Sequence, residues 1–309
     1  MAFFEVPKLN DILLEREFPN LLTDKINSHP LANSLLTAIA GGLERRYLGI
    51  HPEMVVTEYS FRSHIHIPPY HSNDRGYFRV YNPNGHSTVV VLPQRGRGYN
   101  FARLVASYLA ANGFTVYEVV TPFHERRLPE GIKSVAALPI SVDFLKTMSK
   151  QSIEEVLSLI EFIGKDVGIV GVSQGAGYAV VVSSLESRVK GSVYVHGFAN
   201  VTDLLYDSED TLAKKFRQQN SALLDNPDTL RGELNLIDPI TYARGDSTYR
   251  AIMINGKNDN SLPENNVLAL WEALGRPRLH FLIGGHGLVV IRTKKILKLT
   301  LDHLDKTLK

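Results

Sequence analysis

Residues 87–93, 114–120 and 167–172 are short, nearly continuous apolar runs, and each is followed by a segment with helical character. A strand that carries apolar side chains on both faces must be buried on both faces. A strand–helix–strand alternation also returns the chain parallel to itself. This repetition restricts the chain to an α/β architecture, a mostly parallel central sheet with helices on both faces. Asn100 is placed to cap the stripe Phe101, Leu104, Val105, Tyr108 and Leu109, which Gly113 ends. Ser152 and Glu155 have capping-box spacing ahead of a helix that carries Ile153, Val156, Leu157 and Ile160 and stops at Gly164. Further strands are expected at Ser192–Val195, Arg250–Asn255 and Leu279–Ile283, the last followed by a long helix to the C-terminus.

Upstream, Val55–Ile65 and Tyr77–Tyr81 are rich in β-formers, with Asn82-Pro83-Asn84-Gly85 as a turn, and suggest antiparallel strands at one sheet edge. Residues 1–50 read as an N-terminal helical extension, with Leu13, Leu14, Leu21, Leu22, Ile26, Leu31 and Leu35 at roughly helical spacing. Their apolar stripe is expected to pack near the mouth of a site or to form a homodimer contact. Residues 197–247 read as helices over the C-terminal edge of the sheet. No linker divides the chain, so residues 51–309 form one α/β domain.

Composition excludes several functions. The formal charge of +2 offers no field for nucleic acid or an anionic membrane. The absence of cysteine removes disulfides, thiolate metal sites and a cysteine nucleophile. Met1–Asn10 lack the pattern of a signal peptide, and no stretch of about 18 apolar residues exists. A cytoplasmic, soluble protein without a nucleic-acid or membrane partner is the expectation.

The chemistry concentrates in three segments. Gly171-Val172-Ser173-Gln174-Gly175 lies between a buried strand and a helix. A sharp turn there lifts a serine hydroxyl above the sheet, and the helix N-terminus supplies free N–H groups beside it. A serine nucleophile needs a base, and the base needs an orienter. Asp259 stands in Ile254-Asn255-Gly256-Lys257-Asn258-Asp259-Asn260-Ser261-Leu262-Pro263, in the loop after a strand. His286 stands in Gly284-Gly285-His286-Gly287, after the last strand. All three fall on the edge where parallel sheets bind ligands. His280, within a strand pattern, is a weaker candidate for the base.

On these motifs the chain resembles the α/β-hydrolase superfamily over roughly residues 75–309, and within it dienelactone-hydrolase-like and prolyl-oligopeptidase-like esterases. The resemblance implies hydrolysis of an ester, thioester or amide through an acyl-enzyme on Ser173, without cofactor or metal. It implies an oxyanion hole built from the N–H of Gln174 and one N–H from the loop after residue 93, where the donor is Gln94, Arg95 or Arg97. Many members carry His-Gly where this chain has Gln94-Arg95-Gly96. The chain is also similar to α/β-hydrolase-domain proteins with a P-[FY]-x-x-x-R-x-P segment, here Pro122–Pro129. That segment follows a core strand and is expected to line the substrate pocket, with His124, Arg126 and Arg127 contacting a polar or anionic group, or with one arginine bracing the loop.

His64, His66 and His71 read as solvated strand residues rather than as a metal site. The function expected is a serine hydrolase for a small or medium carboxylic ester. The alternatives are a peptidase of the prolyl-oligopeptidase type, or a catalytically silent binding protein on the same scaffold. That peptidase family's usual large N-terminal propeller is not expected in the roughly 75 residues upstream of the resemblance, which leaves a minimal peptidase as the form of this alternative.

Overall fold

Val89 and Val91 face one side of the central sheet and Val90 and Leu92 the other, and all four are fully buried. They sit on β4 (Thr88–Leu92) in a computed structural model that describes residues 24–30, 55–96, 100–245, 247–286 and 292–308. β5 (Thr115–Val120), β6 (Val167–Val172), β7 (Val189–Val195), β8 (Ala251–Lys257) and β9 (Arg278–Ile283) complete a six-stranded parallel core in the order β5-β4-β6-β7-β8-β9. β3 (Arg75–Tyr81), β2 (Val55–Arg62) and β1 (Asp24–Pro30) extend it antiparallel beyond β5. The chain leaves β4 toward β5 and returns on β4's other side as β6. The crevice between the loops after β4 and β6 is therefore a topological switch point, where open α/β sheets bind ligands.

Helices cover both faces, as strands buried on both faces require. α1 (Asn100–Ala111) and α10 (Thr293–Thr307) press Leu104, Leu109, Ile296 and Leu304 onto one face. α2 (Val142–Ile163), α3 (Gln174–Leu185) and α9 (Glu264–Ala273) press Val156, Ile160, Ala179 and Leu270 onto the other. Each such fully buried leucine contributes about 1.5–3 kcal/mol. Residues 197–247 form five short helices: α4 (Val201–Asp207), α5 (Thr211–Gln219), α6 (Ser221–Leu224), α7 (Pro227–Leu234) and α8 (Pro239–Tyr242). They enclose a third apolar cluster that includes Phe123, Leu145, Leu205, Phe216 and Leu234. No described helix is long and apolar enough to cross a membrane.

Three local readings of the sequence differ from the structure. α2 begins at Val142, with Ser141 accepting a hydrogen bond from Phe144 N at 3.1 Å, eleven residues before the expected start. The added turns bury Leu145 and Met148 in the third cluster. Ser152 is thus interior, its hydroxyl donating to Met148 O. β2 ends at Arg62 rather than at Ile65, so His64, His66 and His71 sit beyond the strand; His66 and His71 both pair with Asp74. Within the N-terminal segment expected to be helical, Asp24–Pro30 is a strand paired with β2. Asn27, Ser28 and Pro30 disfavour helix there. The remainder of residues 1–50 lies outside the described residues.

Candidate active site

β6 runs straight into α3 with a single residue between them. That residue, Ser173, has φ 52° and ψ −117°, a conformation costing roughly 1–3 kcal/mol for a side chain with a Cβ. Its surroundings hold it there. Ser173 N donates to Val195 O at 2.8 Å, and Ala176 N donates to Ser173 O at 2.8 Å. The flanking glycines are sterically required. A Cβ on Gly171 would lie 2.3 Å from Gly175 O, and one on Gly175 would lie 2.5 Å from Leu92 O. The serine is consequently lifted to the switch point with the N-terminus of α3 beneath it.

Asp259 follows β8 and His286 follows β9, and the parallel register of β6, β7, β8 and β9 brings both loops to the Ser173 edge. Ser173 Oγ lies 3.3 Å from His286 Nε2, and His286 Nδ1 lies 2.9 Å from Asp259 Oδ2. A carboxylate only accepts, so Nδ1 carries the ring proton and Nε2 is left as the acceptor for the hydroxyl. Asp259 Oδ1 accepts from Ser261 N at 2.9 Å and Leu262 N at 3.2 Å. Burial alone would raise the Asp259 pKa. The adjacent imidazoles of His196 and His286 overcome it and hold the carboxyl well below the usual carboxylate range. His280 lies on β9 itself, away from this constellation.

His196 was not anticipated from the sequence. It lies just beyond β7, 1% exposed, with Nδ1 3.3 Å from Asp259 Oδ2. Its position at the C-terminal end of a parallel strand, on the Ser173 edge, was the available signal. His196, Asp259 and His286 are also the group of described residues whose ligand atoms, within 4.8 Å of one another, have the spacing to hold a metal ion. The proton-mediated pairing just described already uses Asp259 Oδ2 and His286 Nδ1.

Gln174 is the first residue of α3. Its side chain donates to Tyr178 Oη at 2.8 Å, which ties the amide down and leaves the backbone N–H beside Ser173. Of the loop candidates, Arg95 lines the same pocket as Ser173 and pairs with Asp210, the N-cap of α5. Gln94 does not line it, and Arg97 lies outside the described residues. The neighbouring Gly96 N donates to His124 Nε2 at 3.2 Å.

That hydrogen bond corrects the role expected of His124. The ring is buried, and burial pushes its pKa down to about 4, so it is neutral. Nε2 accepts from Gly96, which places the proton on Nδ1 for Pro122 O at 2.8 Å. His124 therefore ties the Pro122–Pro129 segment to the loop after β4. For Arg127 the structure supports the bracing alternative over substrate contact. Arg127 is fully buried and makes a two-pronged pair with Glu155, at 2.6 and 2.8 Å, so it braces the segment. Arg126 points to Glu58, at 2.8 Å, with its guanidinium over the Tyr77 ring. None of the three lines the pocket around Ser173.

The pocket is instead walled by the helical segment and α2. Leu145, Met148, Phe198, Leu205, Ala213 and Ile237 form an apolar chamber of about 130 Å³ that opens on Ser173 and His286. A chamber of roughly 150 Å³ is large enough for a benzene ring.

No family model and no curated protein matches the chain. Solved structures do. Acetyl xylan esterase 1 from Thermoanaerobacterium sp. JW/SL YS485 superposes with a TM-score of 0.61 at 15% identity, covering 94% of this chain and 92% of that one. An esterase of Pyrococcus furiosus gives 0.56 at 13% identity, covering 85% and 95%. The acylaminoacyl peptidase of Pyrococcus horikoshii gives 0.56 at 16% identity, covering 81% of this chain and 41% of that longer one. The likeness extends over most of the chain and is one of fold: a mostly parallel α/β-hydrolase sheet with helices on both sides.

Proposed function

We infer that this α/β-hydrolase fold carries a serine hydrolase acting on carboxylic esters of small or medium size. The observation that carries the reading is the unbroken chain Ser173 Oγ, His286 Nε2, His286 Nδ1, Asp259 Oδ2 at the mouth of an apolar chamber. In the first step Ser173 Oγ attacks the ester carbonyl while His286 Nε2 takes its proton. Asp259 holds the imidazole in the required tautomer and balances the imidazolium charge. The oxyanion meets the N–H of Gln174 at the start of α3, with a second donor from the loop that Arg95 belongs to. Collapse expels the alcohol, protonated by His286. Water then enters by the same route in reverse and releases the acid.

A chamber of about 130 Å³ beside Ser173 supports an acyl group of about the size of an aromatic ring. Esterase neighbours of similar length support the ester reading, and an amide of the same acyl group is the natural competitor. The test is pre-steady-state hydrolysis of p-nitrophenyl esters. A nitrophenol burst equal to the enzyme concentration, lost in Ser173→Ala, is expected for an acyl-enzyme. Hydrolysis without a burst that survives Ser173→Ala would refute the assignment.

A further inference from the structure

Asp259 faces two imidazoles, and only one of them reaches the nucleophile. The ring of His196 lies against that of His286, with centroids 4.6 Å apart and planes inclined by 31°. Its Nδ1 approaches the same carboxylate oxygen that accepts from His286, at 3.3 Å against 2.9 Å. The approach is long, and among the described residues neither ring nitrogen of His196 has a well-formed hydrogen bond. The residue is nonetheless buried, and its backbone holds φ at 56°, which a residue with a Cβ rarely adopts. Burying a polar ring with incomplete hydrogen bonding costs stability. A phenylalanine would fill the same space against His286 without that cost, so the nitrogens call for a reason beyond packing.

We propose that His196 is a positioning residue for the hydrolytic centre: its Nδ1–H aims Oδ2 of Asp259, and its ring fixes the plane of His286. The proposal rests on the serine-hydrolase reading. A charge-bearing centre needs its orienter held by a partner of its own, as metal-bound histidines do. Oδ1 of Asp259 is fixed by two backbone N–H groups, and Oδ2, the atom that works on His286, would otherwise be held, among the described residues, by His286 alone. When His286 takes the serine proton, positive charge appears next to the second ring. Among the described residues, Asp259 and His286 are the titratable groups facing His196. Burial disfavours a charge on His196, and the nearby His286 acts in the same direction, against the pull of Asp259. His196 thus remains a neutral donor while His286 cycles, and no repulsion between two imidazolium rings arises. Resting-state hydrogen bonds of this kind are often long and tighten as charge develops.

Two variants separate orienting from packing. His196→Phe keeps a ring on His286 and removes the donor. His196→Asn keeps an N–H at the Nδ1 position and removes the ring. Removing a hydrogen bond to a charged group is expected to lower kcat about 10- to 100-fold in His196→Phe, with KM within about twofold and the acid limb of the kcat/KM profile displaced. His196→Asn is expected to recover most of kcat. Equal kcat and pH profiles in wild type and His196→Phe would overturn the proposal. So would equal losses in both variants, since those follow from a packing role. Ring-nitrogen NMR of ¹⁵N-histidine-labelled protein reads the same claim without any substrate: a neutral Nδ1–H tautomer at His196 supports it, and a neutral Nε2–H tautomer contradicts it. If wild type shows the Nδ1–H tautomer yet gives no burst with any ester, the hydrolase reading has failed. If wild type is active and His196→Phe is unimpaired, only the role of His196 has failed.

Discussion

Replacing Arg127 by alanine should destabilise the protein severely while leaving the chemistry of the folded enzyme almost untouched. The guanidinium is fully buried; it donates to both oxygens of Glu155, to Val120 O at 2.9 Å and to Asn73 O at 3.2 Å. Glu155 also accepts from Ser63 Oγ at 2.6 Å. These bonds tie the Pro122–Pro129 segment, the loop after β2 and the middle of α2 into one unit. Removing Arg127 leaves the Glu155 carboxylate buried without a countercharge, which costs about 3–5 kcal/mol. Against a total stability on the order of 5–15 kcal/mol this is a large fraction, equivalent to a fall in Tm on the order of 10 °C. Replacing both partners, Arg127→Met with Glu155→Met, removes the stranded charge and should recover most of the loss. Denaturation in urea and by heat measures both variants, and kinetics with an apolar and an anionic ester are run below the lowered Tm. The reasoning is refuted if Arg127→Ala keeps wild-type stability, or if it raises KM selectively for the anionic ester, as a substrate-binding arginine would.

Four further outcomes follow from the same geometry. Leu205→Trp should fill the chamber and lower kcat/KM for benzoyl or hexanoyl esters at least tenfold while sparing acetyl esters, because losing the fit of a ring-sized group is worth at least 1–3 kcal/mol; an equal effect on all acyl lengths would place the acyl group elsewhere. His124→Phe removes the acceptor for Gly96 N, so kcat should fall about tenfold as the loop after β4 loosens, with KM for small esters little changed in steady-state kinetics. Asp259→Asn and His286→Ala should each cripple turnover by several orders of magnitude, roughly 10³-fold or more, and the double variant should lose no more than the worse single one. Glu154 has its pKa raised to about 7 by burial first and by Glu155 second. The folded state then holds a proton that the unfolded chain releases near pH 4.5, so the group lowers stability as pH rises from 5 to 8; Glu154→Gln should raise Tm at pH 8 but not at pH 5, with a difference on the order of 1 kcal/mol after allowing for solvent screening.

What the sequence disclosed and what it withheld divide along physical lines. The parallel core was legible because a strand buried on both faces has no freedom in its residue types: Val89, Val90, Val91 and Leu92 admit little else. The proximity of Ser173, Asp259 and His286 was legible because parallel strands deliver their following loops to one edge, so order along the chain translates into proximity. The start of α2 was not, since its first turns pack on a cluster assembled from distant segments, and Ser141 carries no capping-box partner. Arg126 and Arg127 misled for a related reason. A run of charge after a core strand reads as solvent- or ligand-facing, but their carboxylates, Glu58 on β2 and Glu155 on α2, are far away in sequence. His196 was overlooked because a histidine that completes a carboxylate's surroundings leaves no spacing pattern. It is recognised only once β7 is seen beside β8.

Whether Ser173 is an activated nucleophile is read out by a fluorophosphonate probe followed by intact mass and peptide mapping. One adduct per chain is expected, on Ser173 alone, formed rapidly in wild type and greatly slowed in folded His286→Ala. A folded wild type that takes up no probe, or one whose adduct maps to another residue and persists in Ser173→Ala, would contradict activation of Ser173.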